Sequence, residues 1–199
     1  MKADTKVKKR ILIYGAIAGL ILCYIATNSN SYNKVLGADV NPENGDVAFI
    51  VEASSNCYIY LADQNGTLLF SKKIPKEVKG LGRGVRFGFD ADTVLVYSAS
   101  KEEAYRYDRE GNIKETISDS NDPSTKEKIM KQWTNYHQWD NWEKSNGMRS
   151  FERNGVQYHY SEAPFYLKWI RKGWSELSIQ TADKKVIIYR SEASFLPKY

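Results

Sequence analysis

Short stretches of alternating apolar and polar residues, separated by Asp, Asn and Gly, dominate the chain after residue 34. Alternation with a period of two is typical of strands with one buried face, and Asp, Asn and Gly favour tight turns. The segment VAFIVE at 47–52 is apolar enough for a central strand. The pattern predicts antiparallel strands at 47–52, 58–62, 67–71, 85–89, 93–98, 104–107 and 113–116.

Two of these strand groups, residues 47–71 and 85–116, repeat one another. When residue 47 is set against residue 92 without gaps, the same residue types recur at an offset of 45. The matches are Phe49-Ile50-Val51 with Val94-Leu95-Val96, Tyr60 with Tyr105, Asp63 with Asp108, and Gly66 with Gly111. Periods of about 40–50 residues with several strands in each unit are typical of β-propeller blades.

The second unit, GVRFGFDADTVLVYSASKEEAYRYDREGNIKET at 84–116, resembles a four-stranded propeller blade of the NHL or YWTD kind. The resemblance rests on an aromatic-rich strand, an Asp-x-x-Gly turn and a following strand, and it covers about 70 residues. A closed propeller needs at least about four blades, and this chain has room for three. The resemblance therefore implies an incomplete propeller or a stack of sheets, and it implies no particular function.

The rest of the chain adds a helix and a further sheet. Asp122 followed by Pro123 is a good helix start, and residues 125–143 contain neither Gly nor Pro, so we expect a helix over 123–143. Asn154-Gly155 between two apolar segments predicts a hairpin, and strands continue to residue 190. The predicted fold is mainly β and antiparallel, with one inserted helix and a C-terminal sheet over 148–190.

Residues 11–27, ILIYGAIAGLILCYIAT, form an uncharged apolar run. A helix of this length spans roughly 25 Å, close to the lower limit for crossing a membrane. Five cations precede the run, whereas only Lys34 follows within twenty residues. The positive-inside rule then predicts a cytoplasmic tail at 1–10, a transmembrane helix in contact with membrane lipid, a linker at 28–33 and an extracytoplasmic domain at 34–199.

Two alternatives to an uncleaved anchor fit the run less well. A cleaved signal peptide needs small residues at the −3 and −1 positions, but cleavage after Ala26 places Tyr24 at −3. A lipoprotein would use Cys23, but the preceding Leu22 is larger than the usual residue there. We therefore expect the chain to stay in the cell membrane as a single-pass protein.

The net charge of +5 does not indicate a nucleic-acid partner. Residues 1–10 hold five cations and Asp4, so the remaining 189 residues carry a net charge of +1. A nucleic-acid-binding domain concentrates its basic residues on the folded surface, where they neutralise phosphates. The basic tail is better explained by orientation of the predicted membrane helix.

The sequence contains no motif for catalysis, for a metal or for another cofactor. Its two histidines are His137 and His159, and the pair His137 and Asp140 lacks a third metal ligand at a helical spacing. Gly-x-Ser-x-Gly and His-Glu-x-x-His do not occur. Cys23 and Cys57 lie in segments at different predicted depths, which argues against a disulfide. We predict a protein that is not an enzyme and needs no cofactor.

The aromatic side chains of the predicted helix are the candidate binding residues. In one interpretation, Trp133 and Tyr136 pack on the sheet. In the other, Trp139 or Trp142 is exposed and contacts a partner, a glycan or the lipid interface. We predict a membrane-anchored extracytoplasmic module that binds a membrane or surface protein or a second copy of itself. A receptor for a glycan or small ligand is the alternative, and a hydrolase is the third.

Overall fold

The computed structural model describes residues 13–20, 33–53, 56–74, 85–98, 102–118, 121–135, 142–145, 148–164 and 173–192. These residues contain two helices, α1 at 13–20 and α2 at Pro123–Gln132, and fourteen strands. The strands are β1 (Lys34–Val40), β2 (Val47–Ala53), β3 (Asn56–Ala62), β4 (Leu68–Lys73), β5 (Val85–Asp90), β6 (Thr93–Ser98), β7 (Glu103–Tyr107), β8 (Ile113–Ser118), β9 (Thr134–Asn135), β10 (Glu143–Ser145), β11 (Met148–Arg153), β12 (Val156–Glu162), β13 (Trp174–Gln180) and β14 (Lys185–Glu192).

The strands form three antiparallel sheets. Sheet A has the order β1-β2-β3-β4, sheet B the order β8-β7-β6-β5-β9, and sheet C the order β10-β11-β12-β13-β14. Apart from β9, every strand pairs with its neighbour in sequence, so each sheet is a meander of the kind that makes a propeller blade. The expectation of a mainly β, antiparallel, blade-like fold is confirmed, and the C-terminal region supplies a third blade-like sheet.

Sheet A is the middle layer of the domain. Its first face packs on sheet B in a cluster that includes Ile50 and Phe87. Its second face packs on sheet C in a cluster that includes Phe49 and Tyr158. Successive side chains of a strand point to opposite faces, so a strand covered on both sides is buried at every position. This explains why residues 47–51 are all buried and why their sequence does not alternate.

The outer face of sheet B is covered by α2. Ile129 is fully buried in a cluster with Leu95 and Ile117, and Trp133 at the end of the helix joins the same cluster. Asp122 caps the helix, because its carboxylate accepts the N–H of Thr125 at 3.1 Å. The helix therefore closes this side of the domain without a further sheet.

The outer face of sheet C is mostly polar. Tyr158, Tyr160, Leu177 and Ile179 point to sheet A, so the residues that alternate with them point outward. The outward residues on β11 to β14 are Met148, Ser150, Glu152, Gln157, His159, Ser161, Trp174, Glu176, Ser178, Gln180, Lys185, Ile187, Arg190 and Glu192. Met148, Trp174 and Ile187 are the three apolar members of this set. Within the described residues sheet C is the last layer on this side, and a mostly polar face suits that outer position.

The repeat found in the sequence is a repeat of structure. In both units the Asp carboxylate accepts two backbone N–H groups of its own turn. Gly66 and Gly111 have φ of +83° and +78°, a conformation that glycine adopts at little cost. Register shifts between residues 61 and 62 and between residues 106 and 107 are also 45 residues apart. The repeated Asp and Gly thus build one turn twice.

The inserted helix is shorter than the sequence predicts. It begins at Pro123 as expected but ends at Gln132, so the prediction of a helix over 123–143 is wrong at its C-terminal end. Trp133 is extended, and β9 (Thr134–Asn135) pairs with Arg86 and Phe87 of β5. Pairing with the open edge of sheet B satisfies backbone groups that would otherwise continue the helix.

The predicted transmembrane helix over 11–27 is not supported. Among the described residues, no helix is both long enough and apolar enough to cross a membrane. The described part of this segment is α1 at 13–20, and the predicted span continues on both sides into residues outside the described ones.

Candidate functional site

Six tight turns meet at one end of the domain, which we call the turn end. They join β1 to β2, β3 to β4, β5 to β6, β7 to β8, β11 to β12 and β13 to β14. Contacts between sheets hold them together: the Asn41 side chain donates to the Ala91 carbonyl at 2.9 Å, and Arg153 donates to the Val40 carbonyl at 2.6 Å. Lys34, where β1 begins, lies at the opposite end of sheet A.

A cleft of about 250 Å³ opens at the turn end between sheets A and C. Glu43, Gln64, Arg153, Asn154 and Tyr158 are among its lining residues. The Tyr158 hydroxyl donates to the Gly45 carbonyl at 3.3 Å, so the wall from sheet C is fixed to the β1–β2 turn. The cleft offers both hydrogen-bond donors and acceptors beside an aromatic edge, a combination suited to binding a polar or peptide group.

The β1–β2 and β7–β8 turns are joined at the turn end by an ion pair. Arg109 contacts both Asp46 oxygens, with Nε to Oδ2 at 3.1 Å and Nη2 to Oδ1 at 3.2 Å. The Asp46 side chain is 4% exposed and that of Arg109 is 46% exposed. Burial raises the pKa of Asp46, and the Arg109 charge opposes that rise. Such a two-point contact fixes geometry as well as charge.

Asp39 is a second carboxylate near this end, where β1 meets β5. Its carboxylate accepts the N–H of Val40 at 3.0 Å and a backbone hydrogen bond from Phe89. Burial raises its pKa to about 6, although these bonds and the charge of Arg153 act in the opposite direction. A Cβ on Gly88 would lie 2.8 Å from Trp133 Cγ and 2.9 Å from Asp39 Oδ2, so both side chains approach β5 this closely because residue 88 has no side chain.

A second depression, of about 390 Å³, lies on the outer face of sheet C. Its lining includes Glu143, Ser150, Glu152, Gln157 and His159. From the sequence, an enzymatic function would need a histidine in a cleft beside an acid, and His159 does lie in this groove with two glutamates. The groove lies on an open sheet face, whereas general acid–base catalysis requires a positioned donor and acceptor within hydrogen-bond reach of the substrate.

The two described aromatic residues among those singled out from the sequence, Trp133 and Trp142, lie in different clusters. Trp133 is 6% exposed and packs between α2 and sheet B. Trp142 is 5% exposed and packs between sheets A and C, stacked on Phe151 at 5.9 Å. The interpretation that Trp133 packs on the sheet fits this placement, whereas an exposed Trp142 does not. Tyr136 and Trp139 lie outside the described residues.

Sequence reasoning did not identify Asp39, Asp46 or Arg109 as site residues. Asp46 and Arg109 are 63 residues apart, and no local pattern joins them. Arg109 occupies a variable position of the second Asp-x-x-Gly turn, where any side chain fits. The one available signal was at Asp39, a carboxylate within an otherwise apolar strand.

The described residues contain no group of three His, Cys, Asp or Glu placed to hold a metal ion. His137 and Asp140, the pair with a helical spacing for a metal, lie outside those residues. That the protein needs no cofactor stays a prediction.

Comparisons with known proteins show no family for this chain. No protein-family model and no curated protein matches the chain. Two solved structures align at 10% identity: "KlHsv2 with loop 6CD replaced by a Gly-Ser linker", with a TM-score of 0.28 over 75% of this chain, and Kluyveromyces lactis Hsv2, with a TM-score of 0.26 over 79%. The chain spans 49% and 63% of their lengths. At these TM-scores the likeness carries no conclusion about function.

Proposed function

We propose that this protein is a non-enzymatic binding module, held at a membrane by residues 11–27, that presents its turn end to a partner protein outside the cytoplasm. The observation that carries the proposal is the polarity of the domain. Strand β1 enters at Lys34 at one end, and the six tight turns lie at the other. An attachment through the N-terminal segment therefore directs the cleft of the turn end away from the membrane.

The surface of α1 supports attachment. Ile13 is 56% exposed, Tyr14 69% and Leu20 70%, and a Cβ added at Gly15 or Gly19 meets no atom within 4 Å. Exposed apolar side chains on every turn of a helix are costly in water and favourable in lipid. The basic residues that precede the segment fit the cytoplasmic side of a membrane.

The construction of the turn end supports binding over catalysis. Its two arginines are held in place: Arg109 pairs with Asp46, and Arg153 donates to the Val40 carbonyl and lies 4.9 Å over the Phe151 ring. Groups fixed in this way shape a surface, and they do not leave a nucleophile beside a base. Turns on a rigid sheet scaffold are a common place for recognition residues.

Site-specific photocrosslinking in native membranes tests the proposal. A photoreactive amino acid is placed at Gln64 or Asn154 at the turn end, and the matched control carries it at Glu127, an exposed residue of α2. We expect one partner to be captured from both turn-end positions and not from the control. Capture from Glu127 alone would show that the partner contacts α2 and would contradict the proposal.

Labelling from outside intact cells tests the orientation. A cysteine introduced at Asn154, an exposed residue of the β11–β12 turn, should react with a membrane-impermeant maleimide. Cys57 is buried, so the parent protein supplies the background. Reaction only after the membrane is permeabilised would place the domain on the cytoplasmic side.

A small polar ligand on sheet C is a second candidate function, favoured by the groove that contains Gln157 and His159. Calorimetric titration with a panel of oligosaccharides would detect it. If the double variant Gln157→Ala/His159→Ala loses the heat of ligand binding but keeps its melting temperature, binding in the groove is supported. Binding that is equal in the parent and the variant would exclude the groove.

A further inference from the structure

The outer edge of β14 is a wall to which no strand of the described residues pairs. Within the described residues, β14 is the last strand of sheet C and pairs only with β13. A register shift occurs beside Leu177, and Ile188 and Tyr189 both pack into the core between sheets A and C. Two successive inward residues opposite one residue are the mark of a β-bulge. Lys185, Ile187 and Arg190 consequently remain on the outer face.

The first residues of β4 form a floor below that wall. Tyr189 of β14 contacts Phe49 of β2 at 5.6 Å and Tyr60 of β3 at 5.5 Å, so the middle of β14 lies over the β2–β3 pair, and β4 is the next strand outward. The side chains that β4 directs toward sheet C are Leu68, Ser71 and Lys73, all exposed, with Leu68 at 50%. Wall and floor meet closely at the turn end, where a Cβ on Gly66 would lie 2.3 Å from Val186.

These residues form a ledge: Leu68, Ser71 and Lys73 are its floor, and Lys185, Ile187 and Arg190 border its wall. Three of the six are cations. Two carboxylates lie beside these cations: the Glu176 side chain is 12% exposed and paired with Lys185 and Arg190, and the more exposed Glu192 is paired with Arg190. A strand laid on the ledge would place alternate side chains against Leu68 and beside the cations.

We propose that the ledge receives an extended acidic segment of a partner protein, which pairs with β14 as a sixth strand of sheet C. Backbone hydrogen bonds to the β14 edge supply affinity, an apolar side chain covers Leu68, and carboxylates on the opposite face of the segment meet Lys185 and Arg190, while Lys73 adds positive charge at the end of the floor. This inference goes beyond the proposed function, because the ledge runs along the side of the layers and not across the turn end.

A second copy of the chain does not fit the same position by two-fold pairing of β14 with β14. In each copy the middle of β14 lies over β2 and β3, so the second copy would bring its own sheet A to the place where sheet A of the first copy already lies. The occupant is therefore a segment with no sheet layered on that side. Charge on the ledge then decides its composition, since like charges in close contact weaken binding.

Fluorescence anisotropy with two labelled peptides tests the proposal on the full chain in detergent. One probe is a peptide of about nine residues that alternates glutamate and valine, and the other alternates lysine and valine. We expect saturable binding of the acidic peptide at least about tenfold tighter than that of the basic one. Equal affinities, or no saturable binding of the acidic peptide, would overturn the proposal.

The repeat supplies a matched pair of variants. Leu68 and Ile113 occupy equivalent first positions of β4 and β8, 45 residues apart, and are 50% and 49% exposed. Leu68→Glu should lower the affinity for the acidic peptide at least about tenfold. Ile113→Glu should change that affinity less than about twofold. Equal effects of both variants would remove the ledge as the binding place.

Hydrogen exchange locates the added strand independently of affinity. The β14 amides that face away from β13 should exchange more slowly when the acidic peptide is bound. If sedimentation shows a dimer whose β14 amides are protected without peptide, self-association fills the edge and the inference fails. Either result leaves the crosslinking test of the turn end unaffected.

Discussion

Replacing Asp39 with asparagine should stabilise the protein above pH 6. The carboxyl lies between β1 and β5, close to Gly88, where burial raises its pKa from 3.8 to about 6. A raised pKa means that the folded state binds the proton more tightly than the unfolded chain does. The ionised carboxylate therefore lowers stability, progressively from about pH 4 to pH 6, and the full loss persists at neutral pH.

The magnitude follows from the shift. A rise of about 2 pKa units corresponds to about 3 kcal/mol, since one unit is about 1.4 kcal/mol. Asparagine removes this loss, but its amide has one acceptor oxygen where the carboxylate has two. One of the bonds from Val40 and Phe89 is then weakened, at a cost of about 1 kcal/mol. The expected net gain in the free energy of unfolding at pH 7 is about 2 kcal/mol.

Urea denaturation of the parent and the variant from about pH 3.5 to about pH 8 measures this difference. The two curves should separate between about pH 4 and pH 6, and the variant should be slightly less stable at the acid end. Asp183→Asn, the same substitution in the exposed β13–β14 turn, is the matched control. Parallel profiles for the parent and Asp39→Asn would refute the assignment of a buried charge at this position.

Three further substitutions test the packing by thermal and urea unfolding. Gly66→Ala should lower the free energy of unfolding by about 2–4 kcal/mol more than Gly155→Ala does. Both glycines have positive φ, but only at residue 66 does the added Cβ meet Val186. Equal losses would argue against the contact. Trp142→Ala should cost about 3–5 kcal/mol, and an undiminished melting temperature would contradict its burial. Ile129→Ala should cost about 2–5 kcal/mol, and a smaller cost would mean that α2 does not cover sheet B.

The layered β architecture could be predicted from local signals. The apolar segment at 93–98, which follows the turn at 90–92, marks strand β6 at the same bounds, and the paired Asp and Gly of the two repeats mark two turns of one design. Such signals are local because a tight turn is determined by its own residues. The continuous apolar run at 47–51 also indicated a central strand, because a strand covered on both faces is apolar at every position.

The features that sequence reasoning missed depend on residues far apart in the chain. The helix ends at Gln132 because β9 pairs with the edge of β5, a strand much earlier in the chain. No residue pattern between 125 and 143 indicates that pairing. Trp142 is buried because sheets A and C close over it. Asp46 and Arg109 belong to different turns that meet only when the sheets stack.

The middle position of sheet A has a consequence for biosynthesis. A ribosome makes residues 33–74 before either of the sheets that cover them. Ile50 has no opposing layer until β5 to β8 emerge, and Phe49 has none until β11 to β14 follow. The nascent chain thus exposes two apolar faces of sheet A through most of its translation. Exposed apolar surface of this kind is what chaperones bind. Premature termination before β14 should yield aggregates and no smaller folded protein.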